Sequence, residues 1–502
     1  MSDRWCVTRN GVAVALRDVP DLSLDVMSAD VVAAVSAGAR LGCWSGDGEG
    51  RIVAVLVDDA AGELRVARAR VGDRYPSLTP SCPQAHLFER ELAEQFGPVA
   101  VGHPWFKPVR SHARWTPGPD AWGRAADMPI VPGVAETFRV EGEDVHEVAV
   151  GPVHAGVIEP GHFRFQCHGE QVFHLEIQLG YQHRGIERAA VGGPHPQTLH
   201  QMEAAAGDTT VAHTWAHCLV LEALADVVPP PVAQDLRATM LELERLANHV
   251  GDLGALAGDV GFQPTASFNG RLRGDFLNLT AALCGSRLGR GMLRPGGVRF
   301  GADEARRLDM IRRLHAARRD VTGSVELLFH TPSVAARFER VGIVRPEEAI
   351  AAGLVGVARR ACGTAVDVRH DHPVGAWLQT RVDPAICGEG DVQSRAWVRW
   401  LEICDSLEMV ERFLSRPLDG PVREPMQPLR PDHLAVGLME GWRGPVLHLG
   451  LTGPDGRLTR YKVVDPSFHN WQGLALALRD EQISDFPLCN KSFNLSYCGV
   501  DL

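Results

Sequence analysis

Lysine is scarce, found only at Lys107, Lys462 and Lys491, so arginine carries almost all the basic charge. Genome composition accounts for that bias more simply than function does. The net charge is −11, which argues against sequence-independent binding to nucleic acid. No apolar run reaches the roughly 18 residues that a membrane-spanning helix needs. The opening MSDRWCVTRN lacks an apolar core followed by a small-residue cleavage site, so the expectation is an unprocessed, cytoplasmic chain. The 11 cysteines are scattered and odd in number, with no C-x-x-C pair. A disulfide framework, a zinc ribbon and a self-contained iron–sulfur module are all disfavoured by that pattern. A Walker A motif, a G-x-S-x-G elbow and a G-x-G-x-x-G between strand and helix are also missing, so nucleotide binding by this chain is not expected.

What remains is an ordinary globular composition: 502 residues, 45% hydrophobic and 23% charged, enough for two or three domains. The pattern predicts an α+β protein. A small α/β N-terminal domain covers 1–112, a linker 113–147, and a larger, mainly helical domain with peripheral antiparallel strands 148–502. In the first part, Arg51–Val57 and Glu63–Val71 read as strands and Val31–Ala39 as a short helix. His86–Phe96 reads as an amphipathic helix with Leu87, Phe88, Leu92 and Phe96 on its apolar face. The linker is rich in Pro, Gly and Trp, and its tryptophans predict that it lies against a surface. Beyond it, Phe163–Gln166 and Val172–Gln178 predict a strand pair turning at His168–Glu170. Helices are expected over much of 195–320, broken at Pro229–Pro231, with one at Ala233–Leu253 and another within Asn269–Gly291. Further helices are expected at 303–331 and 392–416, and a hairpin of Val446–Leu451 with Leu458–Val464.

Three clusters carry candidate chemistry. His213 and His217, four apart on a predicted helix, share one face as metal ligation would need. Thr214 stands where a zinc protease has its glutamate, so helix packing is the better reading. GPVHAGVIEPGHF places His154, Glu159 and His162 among turn-forming residues, a loop able to set imidazole and carboxylate beside a cavity. LGYQHRGIER concentrates Tyr181, His183, Arg184, Glu187 and Arg188, either a solvated face or a buried ion-pair network.

Together these segments resemble a known family. GPVHAGVIEPGHFRF and HLEIQLGYQHRGIER resemble the large subunit of energy-converting nickel–iron hydrogenases of the formate hydrogenlyase type. More distantly they resemble the 49-kDa subunit of respiratory complex I. ERELAEQFGPVAVGHPWFKPV (Glu89–Val109) resembles the end of complex I's 30-kDa subunit, and single chains fusing the two subunits are known. LERLANHVGDLGALAGDVGF, LCGSRLGRGMLRPGGV, VDPSFHNW and DFPLCNKSFNLSY continue the likeness in order across roughly 80–502.

The resemblance implies a metal site of four thiolates, and here all four are replaced. EAAAGDTTVAH puts Ala206 and Thr209 at one pair of positions; NLSYCG puts Ser496 and Gly499 at the other. Alanine and glycine cannot coordinate, and neutral hydroxyls are poor substitutes for soft thiolates. The expectation is therefore no nickel–iron centre and no hydrogen activation. In complex I the emptied cavity became a quinone-head site, which implies a quinone or similar small redox partner here. His154 aligns with the quinone-binding histidine, whereas that loop's second histidine and the quinone tyrosine have no counterparts. Tyr497 is a candidate substitute. Arg443, in EGWRGP, resembles the arginine over the hydrogenase metals, and Glu187 the family's proton-transfer glutamate, for which a carboxyl pKa raised toward neutrality is expected.

The implied cavity is lined by His154, Glu159, Glu187, Arg443 and Tyr497. The implied partners are a small iron–sulfur subunit with a four-iron cluster and membrane-arm subunits, with this chain peripheral to the inner face of the cell membrane. Two other readings stand beside it: a non-catalytic structural coupling subunit, and a hydrogenase large subunit with atypical ligands, Cys498 being the first suspect.

Overall fold

The computed structural model describes residues 4–124, 128–131, 136–154, 156 and 158–502. The N-terminal part is an antiparallel sheet in the order Cys6–Thr8, Glu63–Arg70, Arg51–Asp58, Arg40–Gly46, with Asp21–Leu22 added in parallel to Glu63–Arg70. Both predicted strands are present. The predicted short helix begins earlier, at Leu24, because Ser23 accepts from the Val26 amide as an N-cap. It ends at Ser36, ahead of Gly38 in the left-handed region.

The His86–Phe96 helix has the predicted bounds, and Gly97 terminates it at φ 90°. Phe88 and Leu92 are buried as expected, but the polar face is buried as well. Glu89 accepts from Ser77, Leu78 and Thr79. Glu91 pairs with Arg110 and Lys462, and Gln95 reaches Glu187 and Arg460. This helix is thus a polar joint between the N-terminal sheet and the rest of the chain.

The linker tryptophans do lie on the body: Trp115 packs edge-on to Phe96 and Trp122 against Phe106. After it come Val145–Val150, His162–His168 and Gln171–Gln178, a three-stranded antiparallel sheet. The helical core follows, built from Thr210–Ala225, Pro231–Asp259, Gln263–Cys284, Glu304–Phe329 and Val392–Ser415. Pro231 at the first turn of the second helix fits, since the missing N–H there has no intrahelical partner to lose. That helix runs six residues beyond its predicted end at Leu253.

It is buried nearly all round and binds its neighbours through paired charges. Arg237 clasps Glu222, Arg245 reaches Glu242 and Glu402, and His249 donates to Glu402. The C-terminal sheet has the order Leu458–Val464, Gly444–Thr452, His433–Gly441, Ala13–Ala15. The predicted hairpin is there; His433–Gly441 was not anticipated. A strand from the N-terminal part completes this sheet, and Asn10 locks it by donating to His372 O and Leu438 O, both at 2.9 Å. No helix among the described residues is long and apolar enough to cross a membrane.

Candidate functional site

The loop before Thr210–Ala225 and the C-terminal turn meet where the sequence places the missing ligands. Ala206, Thr209, Ser496 and Gly499 are all buried. The site is closed by its own polar groups. Ser496 Oγ accepts from the Gly499 amide at 2.9 Å, and the Ser496 amide donates to Ser467 Oγ at 2.8 Å. A Cβ on Gly499 would lie 2.7 Å from the Asp465 carboxylate carbon. No thiolate could return there unless Asp465 moved. The residues present therefore do not fit a nickel–iron centre. Among the described residues no three His, Cys, Asp or Glu side chains are grouped to hold a metal. Cys498 lies beside the site, with Sγ 3.5 Å from Ser496 Oγ. Burial and then the Glu159 carboxylate push its thiol up to about 11, so it stays protonated.

Arg443 roofs the site. It grips Asp208 with two bonds of 2.6 and 2.8 Å, donates to Thr209 Oγ1 at 3.0 Å and lies over the Trp442 ring at 3.9 Å. Burial opposes its charge, but Asp208 outweighs that and raises its pKa further.

A run of side chains leads away from Asp465. His213 Nε2 lies 3.0 Å from Asp465 Oδ2, and His213 Nδ1 is 3.1 Å from His448 Nε2. His448 Nδ1 is 2.9 Å from the Tyr461 hydroxyl, which is 2.7 Å from His217 Nδ1. All five residues are buried. Burial holds His217 down at about 3 and pushes His448 well below the usual imidazole range, so both rings are neutral. Each neutral ring has one donor and one acceptor. Against burial, His213 keeps Asp465 ionised, so Asp465 accepts and His213 donates. Contacts at hydrogen-bond distance thus connect Asp465 to His217 through His213, His448 and Tyr461. His213 and His217 are helix-packing histidines, as the sequence suggested, and also members of this chain.

The loop with His154 lies beside the C-terminal turn, although Ala155 and Val157 fall outside the described residues. His154 Nε2 is 3.2 Å from Gly161 O. Glu159 accepts from the Tyr497 and Cys498 amides, both at 3.3 Å. Tyr497 is enclosed by Trp471, at 4.9 Å between centroids, by Phe163 and by the backbone of Gly161. His154, Glu159 and Tyr497 are thus brought together.

Glu187 is not with them, and its expected raised pKa is corrected. It lies in the buried ion-pair layer beside the 86–96 helix, 2.7 Å from Lys462 Nζ and 3.3 Å from Arg460. Burial would raise its pKa; Lys462, then Arg460 and Arg110, hold it down at about 2. Of the two readings of LGYQHRGIER, Glu187 takes the buried one, while Arg188 is exposed.

Among the raised carboxyls is Glu244, beside the 206–209 loop, which sequence reasoning passed over. It accepts from the Val211 and Ala212 amides at 2.6 and 3.2 Å, at the N-terminus of the 210–225 helix. Burial pushes it up to about 8, partly offset by those amides, with Asp208 adding to the rise. Its only sequence signal was its place in LERLANH, in a run that resembles the family. Asp208, His448, Tyr461 and Asp465 were likewise unmarked.

Residues 259–436 match the family model described as respiratory-chain NADH dehydrogenase, 49 Kd subunit. Hydrogenase-4 component G of Escherichia coli K12 is 30% identical over 442 residues, spanning 85% of this chain and 76% of that protein. Formate hydrogenlyase subunit 5 of the same organism is 30% identical over 446 residues, spanning 85% and 77%. The fused C/D polypeptide of NADH-quinone oxidoreductase from Bacteroides thetaiotaomicron is 28% identical over 424 residues, spanning 78% and 79%. The chain belongs to the family of large subunits shared by energy-converting hydrogenases and complex I, with a 30-kDa-like part fused ahead of the 49-kDa-like part, and is a subunit of a complex I-related oxidoreductase.

Proposed function

We propose that this chain works without a nickel–iron centre and couples electron transfer to proton movement within a multi-subunit assembly. A small partner subunit holds the nearest four-iron cluster, and a quinone-like acceptor takes the electrons. Membrane-arm subunits move the ion, and the chain sits as a peripheral arm at the inner face of the cell membrane. The observation that supports this reading is the hydrogen-bonded chain of buried side chains ending at Asp465, beside the position of a missing ligand. Such a chain can pass a proton by shifting every hydrogen bond one place, with no side chain leaving its site. Reducing a quinone to a quinol takes two electrons and two protons, so an acceptor here needs protons delivered as charge arrives. Glu244 suits a proton store near neutral pH. His154 is the best placed of the sequence candidates to meet an acceptor, being half-buried on its loop. Tyr497 suits that role less well, because its ring is packed among Trp471 and Phe163.

The test is Tyr461→Phe in the assembled complex, which breaks the chain while keeping the ring. Quinone-coupled turnover is expected to fall about tenfold or more with assembly intact. A second reading, a structural coupling subunit, is favoured by the closed space at Gly499 and by the grip of Arg443 on Asp208. It expects unchanged turnover from Tyr461→Phe and from His154→Ala. Metal analysis of the purified chain decides the remaining alternative: stoichiometric nickel would restore a hydrogenase with unusual ligands, Cys498 first among them.

A further inference from the structure

A cavity of about 540 Å³ lies away from the closed site, between the 86–96 helix, the 171–178 strand and the Pro466–Ala477 helix. That volume is in the range of small-molecule pockets. Its wall is largely apolar, with Leu87, Val109, Leu175, Ile177, Leu179 and Leu476 among the lining residues. The charged groups that share it are not equivalent. Lys107 is neutralised by Glu176, which also accepts from Trp105 Nε1 at 3.1 Å and from the Phe138 amide at 2.8 Å. Arg90, 9% exposed, has no carboxylate bonded to it. Its Nε and Nη2 donate to the carbonyls of Lys107 and Pro108 at 2.7 and 2.9 Å, leaving Nη1 without a partner among the described residues. Glu94, one turn on, is engaged by the amides of Arg110, Ser111 and His112. Arg479 stands exposed at the rim and adds a second cation.

Arg90 thus presents to the cavity a charged donor that no carboxylate is bonded to, with Glu94 near enough to favour its charge. We propose that this cavity binds a small amphipathic carboxylate, its head on Arg90 and its apolar body against Leu87, Ile177 and Leu476. Two parallel N–H bonds from a guanidinium match a carboxylate; among the described residues the one other carboxylate on the wall besides Glu176 is Glu348, at the 346–351 helix, where it accepts from the Arg345 amide at 3.2 Å. The site is separate from the proton chain; Trp471 lines the cavity and packs on Tyr497 at the C-terminal turn.

Trp105 and Trp471 both line the cavity, so binding is read by quenching of tryptophan fluorescence with bromine-labelled decanoate, on the full chain and on the assembled complex. Saturable quenching is expected, with decanol of the same length binding about tenfold more weakly. Arg90→Met should abolish that preference. Ala475→Trp, which fills the cavity and leaves the Arg90 bonds in place, should abolish quenching while the fold persists by circular dichroism. Equal binding of decanoate and decanol, no saturable binding of either, or unchanged binding by Ala475→Trp would each overturn the proposal. So would binding to the isolated chain that is lost in the assembled complex, which would assign the cavity to a segment of a partner subunit.

Discussion

Glu187 and Glu244 are both buried glutamates close to backbone amides, yet their environments move them in opposite directions. Glu187 accepts from the Val463 amide and is ringed by Lys462, Arg460 and Arg110, which hold it down at about 2. Glu244 accepts from two amides but faces Asp208, whose positive partner Arg443 is already taken, and burial carries it up to about 8. Burial pushes both carboxyls up, and whether nearby cations overcome it sets the sign of the shift. Glu187 thus behaves as a fixed anion in a structural joint, and Glu244 as a group able to gain or lose a proton in the physiological range.

The largest expected effect comes from removing the fixed anion. Glu187→Ala leaves Lys462 and Arg460 short of a carboxylate in a buried layer and should cost about 3–5 kcal/mol in urea denaturation at neutral pH. Because the folded pKa is depressed, the stability from Glu187 is complete above the unfolded value near 4.3. It fades as the pH falls toward about 2. The gap between native and variant should therefore close on acidification; a loss under about 1 kcal/mol at neutral pH would show the layer to be loosely paired.

Glu244→Gln should show the reverse trend. The folded carboxyl holds its proton up to about pH 8, so the native chain loses stability as pH rises from the unfolded pKa to that value. Glutamine has no such dependence. Relative to native, the variant should gain roughly 2–4 kcal/mol between pH 5 and pH 8. Infrared detection of a protonated carboxyl at neutral pH, absent in the variant, reads the same group directly. A flat difference across that interval would place Glu244 with Glu187 as a permanent anion.

The emptied site offers a steric test of the same contrast. Gly499→Ala sets a Cβ 2.7 Å from the Asp465 carboxylate carbon. The resulting overpacking should cost about 1–3 kcal/mol. A neutral result would mean that the site has room, and would reopen the question of a ligand there.

How much of this could be read without coordinates differs by element. The 86–96 helix and the 458–464 strand were legible because local pattern decides them, as apolar spacing on one and β-branched alternation on the other. The strand His433–Gly441 was not, because an apolar run containing glycine suits several states. Gly437 is needed there because a Cβ would meet Ala216 O at 2.6 Å, a contact with the 210–225 helix that no local pattern reveals. The same limit applies at the site. Arg443 was legible from its motif, but the sign of the Glu187 shift depends on Lys462, 275 positions away. The proton chain joins His213 and His217 to His448, Tyr461 and Asp465, more than 230 positions later, so only its first two members shared a visible pattern.

The smallest expected effect supplies the baseline for both glutamates. Asp320 pairs with Arg271 at 2.8 Å, but the two side chains are 46% and 50% exposed. Arg271 also has Asp275 at 2.8 Å, so losing one partner leaves the other in place. Solvent screens such a pair, and holding two long side chains together costs entropy. Asp320→Asn should therefore shift stability by under about 0.5 kcal/mol in urea denaturation at neutral pH. If this surface carboxylate matched Glu187 in cost, burial would not be what separates the fixed anions from ordinary surface charge. The opposed behaviour of Glu187 and Glu244 would then need a cause other than the low-dielectric setting they share.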